Sequence, residues 1–206
     1  IKLNKVSFLI HFFLYLFYSN LILTSVEEVV VLGDWKEVTP DKKDASIVLL
    51  GSREIDDQAI NHFEELTYLV PNLNFAASDS RARYFQIRGI GERSGYQGTP
   101  NSSVGFLIDD IDYSGQGGIA TTFDIDQVEI HRGPQGSRIG ANALAGLIYI
   151  KTKDPTKEFE SKGRVVLGSY GRKSIGLAAG GPLKISDDVT YRLALHKHEE
   201  DGFRKN

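Results

Sequence analysis

The stretch from Val128 to Gly136 reads VEIHRGPQG, and it decides how the middle of the chain is interpreted. Val128 and Ile130 alternate with polar residues, which is the two-residue period of a half-buried β-strand. Gly133-Pro134 then ends the run, because proline has no backbone donor for a sheet and glycine favours turns. The stretch therefore predicts a short strand followed by a tight turn.

Other short elements surround this strand. The same alternation predicts strands at 85–87, 104–108 and 147–151, and Ile47 to Leu50 is a further apolar run. Asp109-Asp110 is a candidate hairpin turn, because Asp tolerates the left-handed backbone conformation. These elements predict a sheet made of short strands.

Two small helices are predicted as well. The first covers Gln58 to Val70, where apolar residues share one face and Pro71 stops the run. The second covers about Ser137 to Leu144. Residues 45–154 are therefore interpreted as an α/β domain of short mixed strands with two small helices.

After Pro155 the chain changes into three alternating runs of about ten residues, at 163–170, 173–180 and 189–198. Antiparallel strands joined by short turns fit this pattern, and transmembrane β-strands have the same length and alternation. Three such strands would leave open sheet edges in lipid. Either they begin a barrel whose other strands lie outside this chain, or they are not membrane strands.

The first 25 residues have the layout of a secretory signal. Lys2 and Lys5 precede an apolar stretch from Val6 to Leu23, and the small residues Thr24-Ser25 follow it. The alternative is a transmembrane anchor, since the stretch approaches the ~20 residues that span a bilayer. Polar residues interrupt the stretch, which favours a signal peptide over residues 1–25.

Composition argues against several classes of function. The 206 residues carry a formal net charge of −3 with interleaved charges, which argues against a nucleic-acid partner. The absence of cysteine removes disulfides, thiolate metal sites and cysteine nucleophiles from consideration. Without a Ser-His-Asp arrangement or ligand spacing for a metal, we expect no enzyme activity, no metal site and no cofactor.

Four ordered motifs, at Phe85–Gly89, Val104–Asp112, Val128–Gly136 and Gly140–Asp154, closely resemble the plug domain of TonB-dependent outer-membrane receptors. The resemblance extends to residues 180–183 and 200–204, which are similar to the first barrel strands of that family. It implies a plug domain followed by the first antiparallel strands of a truncated transmembrane β-barrel. The expected order is a TonB box and tether at 26–44, the plug at 45–154 and barrel strands at 155–206.

The resemblance also assigns roles to two sets of residues. A coupling peptide resembling the TonB box comprises Glu28, Val29, Val30 and Val31, and its β-branched residues suit capture by strand addition. Arg88 and Arg132 are expected to face barrel carboxylates and lock the plug in place. His131 stands at a position that is generally aliphatic in the family, and we expect it to be exposed.

Two plug loops, at about 91–101 and 113–121, are expected to face the ligand. Their polar and aromatic side chains suit a flat or anionic ligand such as a metal chelate, and the ligand-binding candidates are Arg93, Tyr96, Gln97, Tyr113 and Gln116. Ordinary loop polarity is the alternative explanation for each of them.

The function implied by the resemblance is energised import across the cell outer membrane. TonB, working with ExbB and ExbD, would pull on the coupling peptide after an extracellular small ligand binds. The implied ligands are a ferric siderophore or another metal chelate, with cobalamin, haem or oligosaccharides as alternatives. Two alternative functions are a TonB-dependent signal transducer, which needs an additional folded domain, and a stand-alone periplasmic binding module.

Overall fold

A computed structural model of the chain describes residues 30–32, 46–58, 60, 62–77, 82–94, 101–117, 120–183 and 186–201. The predicted signal peptide and most of the predicted tether lie outside these ranges. Within them, no helix has the length and apolar character needed to cross a membrane.

Four of the five strands predicted between residues 45 and 154 belong to one mixed sheet of five strands. Its members are β1 (Ser46–Gly51), β4 (Val104–Ile108), β5 (Ile111–Asp112), β6 (Ile125–Arg132) and β7 (Gly146–Thr152). Their order is β1-β6-β7-β4-β5. β6 pairs antiparallel with β1 and with β7, whereas β7 and β4 run parallel. The strand predicted from VEIHR therefore has a neighbour on each side.

A hairpin and a separate strand pair complete this α/β domain. Asp109 and Asp110 adopt φ angles of 47° and 69°, as expected for a left-handed turn between β4 and β5. The Asp109 carboxylate accepts hydrogen bonds from the backbone N–H and the hydroxyl of Thr152, at 3.0 and 2.6 Å. β2 (Leu73–Ala76), which the sequence did not predict, pairs antiparallel with β3 (Tyr84–Ile87).

The helix predicted over Gln58 to Val70 is wrong. An α-helix, α1, covers Ser52–Asp57, and a separate 3-10 helix covers Phe63–Tyr68. Phe63 and Leu66 are both fully buried and stand three residues apart. Because a 3-10 helix has three residues per turn, this spacing places both side chains on its core side.

Backbone conformation explains why both predicted helices are shorter than expected. His62, directly before the 3-10 helix, is extended with φ of −117° and ψ of 145°. The helix predicted over 137–144 is reduced to α2 (Gly136–Ile139). Gly140 and Ala143 follow it with φ angles of 79° and 67°, and an α-helix cannot continue through left-handed residues.

One hydrophobic core joins the five-stranded sheet, the 3-10 helix and the β2–β3 pair. Three phenyl rings stand at its centre, with centroids between 5.0 and 5.7 Å apart: Phe63, Phe85 and Phe106. Burying an aromatic or aliphatic side chain of this size contributes about 1.5–3 kcal/mol. The core therefore holds β6 rigidly in the middle of the domain.

The three alternating runs after Pro155 form a second, antiparallel sheet. Its strands are β8 (Glu160–Leu167), β9 (Lys173–Leu183) and β10 (Ser186–Glu199), in the order β10-β9-β8. Each strand begins or ends within a few residues of its predicted position, and a bulge interrupts the β9–β10 register between Ser186 and Thr190.

Replacing Gly146 should destabilise the five-stranded sheet. Gly146 has φ of 158°, and an added Cβ would lie 2.3 Å from the carbonyl oxygen of His131 on β6. Because backbone must move to relieve that contact, we expect Gly146→Ala to lower the free energy of unfolding by about 3 kcal/mol. Urea-dependent pulse proteolysis of the native protein measures it.

Gly136→Ala is the matched control, because a Cβ added at Gly136 would meet no atom within 4 Å. We expect this variant to be as stable as the parent protein. Equal stability of Gly146→Ala and Gly136→Ala would contradict the observed packing of β6 against β7.

Candidate functional site

The described part of the predicted coupling peptide lies against β6. Val31 is fully buried. The carbonyl of Val30 accepts a hydrogen bond from Gln127 Nε2 at 2.9 Å, and the N–H of Leu32 donates to Glu129 Oε1 at 2.5 Å. Backbone atoms on both sides of Val31 are thus held by side chains of β6. Glu28 and Val29 lie outside the described residues.

Three polar side chains form a buried row on one face of β6. Gln127, Glu129 and His131 share that face because alternate residues of a strand point the same way. The Glu129 carboxylate lies 2.7 Å from Gln127 Nε2 and 2.7 Å from His131 Nε2. With the N–H of Leu32, it therefore has three polar partners despite complete burial.

The expectation that His131 is exposed is wrong, since its exposed fraction is 0%. The same face of the sheet carries a second apolar cluster, which contains Leu107, Leu147 and Tyr149, and Leu32 packs against this cluster. A carboxylate two residues away supplies the polar partner that allows an imidazole to be buried there. Burial, followed by the charge of Asp110, raises the pKa of Tyr149 in this cluster.

The two arginines of the predicted lock differ in burial. Arg88 is exposed, has φ of 53° and uses its backbone N–H to bond the carbonyl of Asn72 at 2.9 Å. Arg132, at the end of β6, is half-buried, and its Nε is buried without a hydrogen-bond partner among the described residues. Neither forms an ion pair within the described ranges, so the lock stays a prediction.

Ion pairs of another set join the two sheets. Asp56 on α1 lies 2.5 Å from Lys162 Nζ and 3.2 Å from Arg164 Nη1, both on β8. Asp124, directly before β6, accepts two hydrogen bonds from Arg192 of β10, at 2.7 and 2.5 Å. The Asp124–Arg192 pair is almost completely buried, with side chains 4% and 8% exposed. Carboxylates of the α/β domain thus dock the basic face of the second sheet.

Further ion pairs lie at the turn between β8 and β9. Arg172 donates to Glu65 Oε1 at 2.9 Å and lies 3.4 Å from Glu200. Burial alone would lower the pKa of the Arg172 guanidinium, but the carboxylates of Glu65 and Glu200 raise it above its usual value. Arg172 therefore stays charged and holds the turn against the 3-10 helix.

Phe123 is the apolar centre of the same docking surface. Its ring is 3% exposed and faces Gly176, where an added Cβ would lie 2.5 Å from the ring. The guanidinium of Arg164 lies 5.2 Å from the ring centroid, within cation–π range, and His196 stacks on the ring at 5.6 Å. A glycine on β9 thus leaves the space that an aromatic side chain of the α/β domain fills.

The opposite face of the second sheet is apolar and exposed. Large hydrophobic side chains alternate with the docking residues along all three strands, and they are Val165, Leu167, Ile175, Leu177, Val189, Tyr191, Leu193 and Leu195. Most are at least half exposed. The sequence predicted the alternation but not the docking residues. Basic side chains at alternate positions of β8 could have indicated the docking face.

The predicted ligand loops are described only in part. Arg93 and Gln116 are exposed, whereas Tyr113 is half-buried and packs against the main core. Tyr96 and Gln97 lie outside the described residues. The structure therefore supports solvent access for Arg93 and Gln116, and it gives Tyr113 a packing role.

Glu92 fixes the base of the first loop. This buried carboxylate accepts hydrogen bonds from the N–H and hydroxyl of Ser103, at 2.9 and 2.6 Å. Its carbonyl accepts another from Gln86 Nε2 at 3.0 Å. The cavity between the two loops has a volume of about 10 Å³, which is room for about one water molecule. The described loop residues thus enclose a cavity that holds about one water molecule.

Known proteins match most of this chain. A family model described as the TonB-dependent receptor plug domain matches residues 39–147, just over half of the 206 residues. The ferripyoverdine receptor of Pseudomonas aeruginosa is 25% identical over 167 residues, which cover 81% of this chain and 20% of that receptor. The pesticin receptor of Yersinia pestis is 27% identical over 159 residues, covering 76% of this chain and 23% of that receptor.

Solved structures are similar in fold. The ferripyoverdine receptor of the Pseudomonas aeruginosa outer membrane, bound to ferripyoverdine, has a TM-score of 0.71 at 22% identity, over 84% of this chain and 22% of that chain. The siderophore receptor PiuA from Acinetobacter baumannii has a TM-score of 0.61 at 22% identity, over 76% of this chain and 21% of that chain. The chain spans about a fifth of the length of such relatives.

Removing the charge of Arg192 should weaken the docking of the two sheets. Arg192→Met leaves the Asp124 carboxylate buried without its bidentate partner, and breaking a buried pair in this way costs about 3–5 kcal/mol. We expect urea-dependent pulse proteolysis of the native protein to report that loss.

Lys197→Met is the control, because Lys197 pairs with Glu199 at 2.6 Å on the exposed part of the same strand. We expect no measurable change in stability from it. If Arg192→Met were equally harmless, the Asp124–Arg192 pair would not hold the sheets together.

Proposed function

The chain belongs to the family of TonB-dependent receptor plug domains, and from this premise we propose that it is part of an outer-membrane receptor that imports a scarce extracellular ligand. Its relatives are transport receptors and not enzymes. The observation that carries the proposal is the two-faced sheet β8–β10. One face docks on the plug through charged residues, and the other presents a continuous row of apolar side chains.

The two faces fit a sheet that separates lipid from a polar lumen. Transmembrane barrel strands are about 9–11 residues long and alternate apolar residues facing outward with polar residues facing inward. β9 and β10 have 11 and 14 residues, and β8 has 8. Residues 155–206 then contribute the first barrel strands, and residues 45–154 form the plug inside the lumen.

The outer edges of β8 and β10 support the same assignment. Within the described residues each of these strands pairs only with β9. Unpaired strand edges are unfavourable in lipid, because their backbone groups have no hydrogen-bond partners there. Further strands of the same barrel would satisfy both edges. In this arrangement residues 1–25 direct export to the outer membrane.

We assign energy coupling to Glu28–Val31. The backbone on either side of Val31 is held by Gln127 and Glu129 of β6, so a pull on this peptide reaches an interior strand of the plug sheet directly. Strand addition to TonB requires free backbone groups in an extended segment. The peptide must therefore leave β6 before TonB can pair with it, and TonB acts with ExbB and ExbD.

The proposed ligand is a metal chelate, chiefly a ferric siderophore. Relatives that receive ferripyoverdine or are named as siderophore receptors support this class. Arg93 and Gln116 are exposed on the loops predicted to face the ligand, and an arginine suits an anionic chelate. Tyr96, Gln97 and Tyr113 remain candidates on the same loops.

A proline in the coupling peptide should separate uptake from binding. Val30→Pro removes a backbone donor and fixes φ, so it blocks strand addition to TonB. We expect uptake of radiolabelled ferric chelate by whole cells to fall to background, while binding to de-energised cells stays unchanged.

Val38→Pro is the matched control, since the same substitution then falls in the predicted tether. It should leave both uptake and binding unchanged. Normal uptake by Val30→Pro would remove the coupling role from this peptide.

A lysine on the apolar face of β10 should block membrane assembly. We expect Leu193→Lys to cost about 2–4 kcal/mol if the side chain faces the bilayer midplane, and to reduce the amount of protein in outer-membrane fractions. Ala194→Lys changes the next residue, which faces the other side of the sheet, and should assemble normally. Equal amounts of both variants in the membrane would contradict the lipid-facing assignment.

A further inference from the structure

Two histidines and a glutamate, distant in sequence, meet where the plug contacts the end of β10. His62 Nε2 and His198 Nε2 are 2.9 Å apart. Glu200 Oε2 lies 3.7 Å from His62 Nε2 and 3.5 Å from His198 Nε2. Three possible ligand atoms thus form a triangle with sides between 2.9 and 3.7 Å. None of the three residues belongs to the predicted coupling, locking or ligand-binding residues.

The size of this triangle fits a transition-metal ion. Zn²⁺ binds histidine nitrogen and carboxylate oxygen at about 2.0–2.1 Å in tetrahedral geometry, which places neighbouring ligand atoms about 3.3–3.4 Å apart. The observed separations of 2.9, 3.5 and 3.7 Å scatter around that value. Movements of a few tenths of an ångström would complete one face of the tetrahedron.

The ligand atoms are held in place before any ion binds. His62 is 8% exposed, its backbone bridges Thr121, and its backbone N–H donates to Glu65 Oε2 at 3.4 Å. The side chain of His198 is 8% exposed, and its ring stands at 81° to that of His62 with centroids 4.1 Å apart. The two imidazoles are therefore oriented by their surroundings.

Arg172 is the cation already present at this site. Its Nε lies 3.4 Å from Glu200 Oε2, and its Nη2 donates to Glu65 at 2.9 Å. Because Glu65 balances its charge, Arg172 does not neutralise Glu200 alone. It positions the Glu200 carboxylate beside the two imidazoles, as polar neighbours commonly do for metal ligands.

We propose that His62, His198 and Glu200 bind a divalent transition-metal ion that ties the plug to the end of β10. Imidazole and carboxylate ligands suit Zn²⁺ and its neighbours Co²⁺ and Ni²⁺. Three protein ligands leave one position for water. Since His62 belongs to the plug and the other two ligands to the second sheet, the ion adds a cross-link between the two units. The proposal stands on this geometry and is independent of the imported ligand.

Spectroscopic titration tests the site. The native protein is extracted in detergent, freed of metal with a chelator and titrated with Co²⁺, whose visible bands gain intensity in tetrahedral sites. We expect one saturable Co²⁺ site, from which Zn²⁺ displaces the bound Co²⁺. We expect His198→Ala and Glu200→Gln to bind Co²⁺ roughly tenfold more weakly than the parent protein, or more weakly still. Glu199→Gln is the matched control for Glu200→Gln, because Glu199 is the neighbouring residue and pairs with Lys197 on the exposed part of β10. It should bind Co²⁺ like the parent protein.

Protease resistance at the plug gives the second measurement. Zn²⁺ should raise the resistance of the parent protein and of Glu199→Gln, but not that of His198→Ala. If His198→Ala does not assemble, His198→Gln preserves most of the side-chain volume and replaces it. Unchanged Co²⁺ affinity in both His198 and Glu200 variants would overturn the proposal, and so would the absence of any saturable site in the parent protein.

Discussion

The buried pair of Asp124 and Arg192 is the interaction on which the arrangement of the two sheets depends. Its two hydrogen bonds, at 2.5 and 2.7 Å, join the start of β6 to the middle of β10. A charge buried to this degree is stable only with its partner, so the pair selects one orientation of the second sheet. Phe123 fills the space over Gly176 beside it. Once the basic face is directed at the plug, the apolar face must point outward.

β6 connects this docking surface to the proposed coupling peptide. Asp124 precedes the strand, and Gln127 and Glu129 within it hold the backbone around Val31. In the proposed transport cycle, releasing the peptide removes a donor from the buried Glu129 carboxylate, which leaves Gln127 and His131 as its partners. Polar contacts of this kind can be exchanged one at a time, whereas a continuous apolar interface would have to separate at once. In the proposed cycle, release of the peptide therefore requires only the exchange of these contacts.

Sequence reasoning succeeded where one residue pattern had one structural meaning. The alternation in β4, β6 and β7 and the Asp109-Asp110 turn were predicted, because a two-residue period and a left-handed aspartate pair have few other structural outcomes. The helix over Gln58 to Val70 failed because spacing by three fits a 3-10 helix as well as an α-helix. The burial of His131 was not predicted. Its polar partner is a side chain on the same face of the strand, and the residues packed on that face include some far away in sequence, so no local pattern indicates burial. His62 and His198 stand 136 residues apart, so no local spacing could reveal their contact.

We propose that a two-faced sheet encloses this plug within a larger outer-membrane barrel. The most direct test is the apparent mass and location of the native protein, detected in cell fractions with an antibody raised against residues 46–154. We expect a species several times the 22.8 kDa of this chain, recovered with the outer membrane. A soluble species near 22.8 kDa would contradict it and would favour a stand-alone binding module.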